Sequence, residues 1–74
     1  MSTLPVLSGK ECIRVLGKIG FEVRRQTGSH IILRKNNPFE QLVVPNHQTL
    51  DRGTLRSIIR QADLSLDEFL ELLK

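Results

Sequence analysis

Several residue types are scarce in this sequence of 74 residues, and each scarcity excludes a class of protein. Cys12 is the single cysteine, so no internal disulfide can form, whereas small secreted domains usually depend on disulfides. No stretch approaches the roughly 18 apolar residues of a membrane-spanning helix, and no signal-peptide pattern opens the chain. We therefore expect a cytoplasmic protein without a membrane partner.

Aromatic residues and metal-ligand spacings are also scarce. Three phenylalanines, with no tyrosine or tryptophan, are too few for a platform that stacks single-stranded bases. Two histidines 17 positions apart and one cysteine lack the paired spacing of a zinc site. The basic part of the chain has no acidic cluster for magnesium. The sequence therefore predicts neither a metal site nor a cofactor.

The composition is that of a folded domain, and the charge is unevenly distributed along the chain. With 39% hydrophobic and 26% charged residues, we expect one domain over residues 1–74. A chain of this size buries only about 60% of its surface, so any site is expected to be a shallow groove or exposed patch. Residues 1–62 carry a formal charge of +6 and residues 63–74 carry −3. The larger part of the chain is therefore predicted to attract a polyanion.

Capping signals and apolar spacing predict six secondary-structure elements. Ser8 with Glu11, and Ser65 with Glu68, form capping boxes that open a first and a last helix, and a middle helix begins near Asp51. Three short strands joined by turns are predicted between them, over residues 21–26, 30–35 and 40–45. The order α-β-β-β-α-α predicts an α+β fold in which helices cover one face of a three-stranded antiparallel sheet.

Local patterns also place individual side chains. Because strand residues alternate, Phe21 and Val23 are expected on one face of the first strand, with Glu22 and Arg24 on the other. Cys12 lies among apolar residues of the first helix and is expected to pack in the core, since free cysteine is usually buried.

His30 is the strongest candidate for chemistry. It follows the Gly28-Ser29 turn at the start of an apolar strand, and four cations are close in sequence: Arg24, Arg25, Arg34 and Lys35. Histidine exchanges a proton readily near neutral pH, and nearby cations suit a phosphate-bearing substrate. Alternation does not settle its face, because Ile31 and Ile32 are both apolar. The structural alternative is a strand histidine that only hydrogen-bonds to a neighbour.

Further candidates lie on the helices and in a loop. Two cationic rows repeat every four residues along the first and middle helices, and they are either phosphate contacts or ordinary solvated faces. His47 follows Pro45 in a loop and is a secondary candidate, although the sequence does not say whether it approaches His30. The predicted RNA-binding residues are Lys10, Arg14, Lys18, Arg24, Arg25, Ser29, Arg34, Lys35, Arg52 and Arg56.

A cleavage reaction that needs no metal points to RNA, because the ribose 2′-hydroxyl can attack its own neighbouring phosphorus and DNA lacks that group. A non-catalytic RNA-binding module of the same fold is the main alternative. A DNA-binding helix-turn-helix over residues 54–73 is disfavoured, because the helix that would enter the groove is the acidic one.

The chain resembles the HicA-type toxins, the mRNA interferases of type II toxin–antitoxin pairs. The resemblance covers nearly the whole chain through Ser8-Gly9-Lys10-Glu11, Leu16-Gly17-Lys18-Ile19-Gly20-Phe21, Gly28-Ser29-His30, Val44-Pro45-Asn46-His47, Gly53-Thr54-Leu55-Arg56-Ser57-Ile58-Ile59 and Leu66-Asp67-Glu68-Phe69. It implies a fold like a double-stranded-RNA-binding domain, cleavage of mRNA, and a HicB-type antitoxin that covers the site. The family's catalytic histidine falls on His30, whereas no catalytic role is carried over to His47.

Overall fold

A computed structural model describes residues 3–74 and confirms the predicted α+β fold. Its elements run in the order α-β-β-β-α-α, and the three strands form one antiparallel sheet with β2 in the centre. The elements are α1 (Gly9–Gly17), β1 (Glu22–Thr27), β2 (His30–Lys35), β3 (Glu40–Pro45), α2 (Arg52–Gln61) and α3 (Leu66–Leu73).

Side-chain hydrogen bonds mark where the outer helices begin, and both predicted capping boxes are confirmed. At α1 the Ser8 hydroxyl accepts from the Glu11 amide at 3.1 Å, and the Glu11 carboxylate accepts from the Ser8 amide at 2.9 Å. Ser65 and Glu68 make the same two hydrogen bonds at the start of α3. The hydrogen bond from the Ser8 amide holds the pKa of the Glu11 carboxyl below its usual value.

The middle helix begins with a different cap. The Asp51 carboxylate accepts from the Thr54 hydroxyl at 2.6 Å and from the Thr54 amide at 2.9 Å. The hydrogen bond from the Thr54 hydroxyl, and to a smaller extent the one from the Thr54 amide, lowers the pKa of the Asp51 carboxyl below its usual value. A cap of this kind satisfies amides that have no partner in the first turn of a helix, so the chain leaves its extended conformation at this point.

The helices cover one face of the sheet. Side chains that point toward them from β2 and β3 are buried, namely those of Ile31, Leu33, Leu42 and Val44. Because successive strand residues point to opposite faces, the alternating residues of β2, which begin with His30, lie on the helix-free face. This face is called the open face below.

The first strand follows the predicted alternation as far as Val23 and then contains a bulge that was not predicted. Phe21 precedes β1 and is buried, whereas Val23 is 52% exposed although it pairs with buried Leu33. The register shifts between Val23 and Arg25, so Arg24 is the extra residue of a β-bulge and both arginines stand opposite Ile32. The prediction that Phe21 and Val23 lie on one face agrees with this register, because Val23 pairs with Leu33 on the covered face and Phe21 is in the core. Val23 is nevertheless exposed, since β1 is an edge strand whose six residues are all exposed.

One hydrophobic core lies between the sheet and the helices. Each helix contributes a fully buried side chain, such as Leu16, Leu55 and Phe69, and burial of such a side chain contributes about 1.5–3 kcal/mol. Cys12 is also fully buried, as predicted, and desolvation raises the pKa of its thiol to about 12. None of the helices in residues 3–74 has the length and apolar character needed to cross a membrane.

Candidate functional site

His30 is exposed on the open face, at the first position of β2. Its Cα pairs with those of Thr27 in β1 and Pro45 in β3, so the residue has a neighbouring strand on each side. Within residues 3–74 no side chain or backbone group forms a hydrogen bond with the imidazole, which leaves both ring nitrogens available to a substrate. The tertiary structure thus settles the face that alternation left open.

The turn before His30 is held at both ends. Gly28 has a φ of 60°, a left-handed conformation that glycine adopts without steric cost, and its carbonyl accepts from the Gln26 side chain at 2.9 Å. The Ser29 carbonyl accepts from the Asn46 amide at 2.6 Å. The β1–β2 turn and the segment after β3 are therefore joined beside His30.

The bulge in β1 brings two cations to the same part of the open face. Arg24 and Arg25 stand opposite Ile32, which lies two residues and about 7 Å along the strand from His30. Both arginines are exposed, and neither forms a hydrogen bond or ion pair within residues 3–74. Their positive charge is available to an anionic ligand of His30.

Arg34 shares the open face but lies farther from His30, about 13 Å along β2. Its guanidinium donates to the Gln41 side-chain oxygen at 3.0 Å and lies 5.4 Å from the centre of the Phe39 ring. Arg34 is thus placed to contact a distant part of an extended ligand.

Two of the predicted RNA-binding lysines are engaged within the fold. Lys35 lies on the covered face, where its ammonium pairs with Glu40 at 3.0 Å and sits 5.1 Å from the centre of the Phe21 ring. Lys18 donates to the Leu72 carbonyl at 2.5 Å, at the C-terminus of α3, where a cation complements the helix dipole. Of the four cations predicted around His30, the structure therefore brings Arg24 and Arg25 to it, and neither Arg34 nor Lys35.

His47 lies at the same end of the sheet as His30. Since His30 pairs with Pro45, two residues earlier in the chain, the Cα atoms of the two histidines are within about 13 Å. A shallow groove of about 370 Å³ runs beside it, lined by Ser8, Lys10, Asn46, His47 and Gln48. Lys10 therefore adds a cation beside His47, and Arg14 follows one turn farther along α1.

Gly9 allows α1 to pack closely against this end of the sheet, a role that was not predicted from the sequence. Its amide donates to the His47 carbonyl at 2.9 Å. A Cβ on Gly9 would overlap the Pro45 carbonyl oxygen, so only glycine allows this approach. The sequence feature that could have indicated this role is a glycine in the first turn of a helix, where residues of higher helix propensity are usual.

The arginines of α2 belong to a different surface. Arg52 and Arg56 line a groove between α2 and the start of α3, in the helical layer that covers the face of the sheet opposite His30. The structure therefore does not bring these two predicted RNA-binding residues to the histidine. Among residues 3–74, no three histidine, cysteine or acidic side chains are grouped as a metal site would require.

A comparison with known protein families found one family whose model matches this chain. A family model described as the HicA toxin of bacterial toxin–antitoxin matches residues 9–64, from the start of α1 to beyond the end of α2. The match includes His30, His47 and the whole sheet, whereas α3 lies outside it. A comparison with curated proteins found no match. Because the matched segment is well over half of the chain, the protein belongs to the HicA toxin family of bacterial toxin–antitoxin systems.

Proposed function

We propose that this toxin is a metal-independent endoribonuclease that cleaves mRNA with His30 as its acid–base group. The observation that carries the proposal is the exposure of the His30 imidazole on the open face, beside the two unpaired arginines of the β1 bulge. A proton-transfer group and phosphate-binding cations are the two components that phosphodiester cleavage needs from a protein when the nucleophile belongs to RNA.

In the proposed reaction, His30 removes the proton of a ribose 2′-hydroxyl, and the oxygen attacks the neighbouring phosphorus. The new bond joins O2′ to phosphorus, and the bond from phosphorus to O5′ breaks. Negative charge builds on the phosphoryl oxygens, where Arg24 and Arg25 stabilise it. The O5′ leaving group takes up a proton from water, His30 releases its proton to the solvent, and the products are a 2′,3′-cyclic phosphate and a 5′-hydroxyl end.

The remaining cations are proposed to hold the strand on either side of the cleaved bond. Lys10 and Arg14 extend the basic surface along α1, and Arg34 extends it along β2. The Ser29 hydroxyl lies next to His30 in the chain and is a candidate donor to phosphate. We assign no catalytic role to His47, which makes it a useful comparison variant.

The test is cleavage of a labelled mRNA fragment by pure protein, with and without EDTA. His30→Ala is expected to lower the rate by about 10²–10⁴-fold, the usual contribution of general acid–base catalysis, with an unchanged circular dichroism spectrum. His47→Ala, at the same end of the sheet, is expected to retain most activity. Cleavage by folded His30→Ala at the wild-type rate would refute the role of His30, and loss of cleavage in EDTA would refute metal independence.

A non-catalytic RNA-binding module is the second candidate. One observation favours it: no group within residues 3–74 orients the His30 imidazole, whereas a catalytic histidine is commonly held by a hydrogen bond to its second nitrogen. RNA that stays intact both with and without EDTA, together with salt-dependent binding, would support this candidate over the nuclease.

Membership of the family implies an antitoxin partner. We propose that this partner is a HicB-type protein whose acidic surface covers the open face and buries His30, since Arg24 and Arg25 on this face have no hydrogen-bond or ion-pair partner among residues 3–74. Co-expression with the neighbouring open reading frame should yield a complex in which RNA cleavage is suppressed. A complex that forms with unchanged affinity to the double variant Arg24→Glu/Arg25→Glu would contradict this docking surface.

A further inference from the structure

A second groove lies away from His30 and has no part in the proposed cleavage. It measures about 870 Å³ and runs between α2, the start of α3 and the segment at Thr3 and Leu4. Its position in the helical layer separates it from the open face of the sheet. A ligand in this groove would therefore leave the His30 surface free.

One wall of the groove is basic. Arg52, Arg56 and Arg60 follow one another every four residues along α2, which spaces them by about 6 Å along the helix. None of these guanidinium groups forms a hydrogen bond or an ion pair with any of residues 3–74. The wall therefore carries three positive charges that have no hydrogen-bonded or ion-paired partner in the described part of the chain.

The floor of the groove is apolar, and its opposite side is acidic. Leu4, Leu64 and Leu66 are partly exposed there beside Ile59. Asp63 and Glu68 also line the groove, on the side of α3. A nucleic-acid backbone carries negative charge along its whole length and would gain nothing from the leucines, whereas a helical peptide can confine its carboxylates to the side that faces the arginines and place apolar side chains on the floor.

We propose that this groove binds an amphipathic acidic helix of a partner protein. Carboxylates at every fourth position of such a helix repeat at about 6 Å, the spacing of the arginines on α2. Apolar side chains on the adjoining face of the same helix reach the leucine floor, which is the usual arrangement of a helix bound in a groove. The proposal is independent of whether the toxin cleaves RNA.

The test uses two synthetic helical peptides labelled with fluorescein. One carries glutamate at every fourth position and leucine on the adjoining face, and the other has lysine in place of each glutamate. The glutamate peptide is expected to bind saturably by fluorescence anisotropy, and the lysine peptide is not. Arg56→Glu should weaken the binding at least about tenfold, as expected when a charge-assisted pair becomes a repulsive one.

Arg14→Glu is the matched control, because it makes the same charge change on the exposed face of α1, outside the groove. It should leave the affinity for the glutamate peptide unchanged, and both variants should keep the wild-type circular dichroism spectrum. If Arg56→Glu alters the circular dichroism spectrum, the variant Arg52→Glu, on the same wall, is used in its place.

Amide chemical shifts locate the bound peptide. Changes at Ile59, Leu64 and Leu66 on addition of the glutamate peptide would support the proposal. It would be overturned by equal binding of the lysine peptide, by equal weakening in Arg14→Glu, or by shifts centred on His30. Displacement of the peptide by a single-stranded RNA whose own binding is lost in Arg56→Glu would also overturn it and assign the groove to RNA.

Discussion

Replacement of Gly9 by alanine tests how closely α1 packs against the end of β3. The added Cβ would overlap the Pro45 carbonyl oxygen, and it would also come within 3.3 Å of the Asn46 Cα. These are backbone atoms, so relief requires the helix or the strand to move. The movement would also lengthen the hydrogen bond from the Gly9 amide to the His47 carbonyl, now 2.9 Å.

The expected cost follows from these contacts. Overpacking a close contact usually costs about 1–3 kcal/mol, and a weakened hydrogen bond adds about 1 kcal/mol or less. Alanine is intrinsically better than glycine in a helix by up to about 1 kcal/mol, which opposes this loss. The net destabilisation should be about 2 kcal/mol, and for a domain of this size the melting temperature should fall by roughly 8–16 °C.

Gly17→Ala is the matched control, because it lies in the same helix and a Cβ there would meet nothing within 4 Å. It should keep or raise the stability by up to about 1 kcal/mol. Thermal and urea unfolding followed by circular dichroism compare the two variants. Equal urea midpoints for Gly9→Ala and Gly17→Ala would refute the close contact between α1 and β3. Folded Gly9→Ala should also cleave RNA more slowly, since Pro45 pairs with His30.

Three further predictions concern the core and the helix starts. Phe69→Ala should cost about 3–5 kcal/mol in urea unfolding, although α3 lies outside the family match, because this ring is fully buried; a loss below about 1 kcal/mol would contradict its role. The Cys12 thiol, with its pKa raised to about 12 by burial, should react with a thiol-specific disulfide reagent at mildly alkaline pH only as the protein unfolds. The pKa of Glu11 is lowered in the folded protein. The contribution of its ionised carboxylate to folding stability is therefore complete above the ordinary carboxyl pKa and is lost as the pH falls through the lowered value. Wild type should therefore lose more stability than Glu11→Gln between about pH 5 and about pH 3, and parallel pH profiles would exclude this linkage.

Local features of the fold were predictable because the interactions behind them span only a few residues. The capping boxes at Ser8 and Ser65 depend on a hydroxyl and a carboxylate three positions apart, and both form as predicted. The turn residues between the strands likewise marked the ends of β2 and β3, and the short links between adjacent strands predicted their antiparallel order, which the register confirms. The edge strand β1 was predicted less well, because the bulge at Arg24 is visible only when its partner strand is known.

The candidate site was only partly predictable. His30 was chosen as the candidate from its turn and its neighbouring cations, but nearness in sequence overstated which of these cations lie beside it. Arg34 lies four residues along an extended strand, and Lys35 points to the opposite face, so neither is beside the imidazole. The role of Gly9 was missed because its contact partner, Pro45, is 36 positions away in the chain.

The amino-acid order was sufficient for the element types, since hydrogen bonds and side-chain periodicity within each segment encode them, and for the division of charge along the chain. Tertiary structure decided which face His30 occupies, which arginines accompany it and which line a separate groove. Those outcomes depend on strand register and on the packing of helices against the sheet. Both are set by contacts between residues distant in sequence, which no local pattern records.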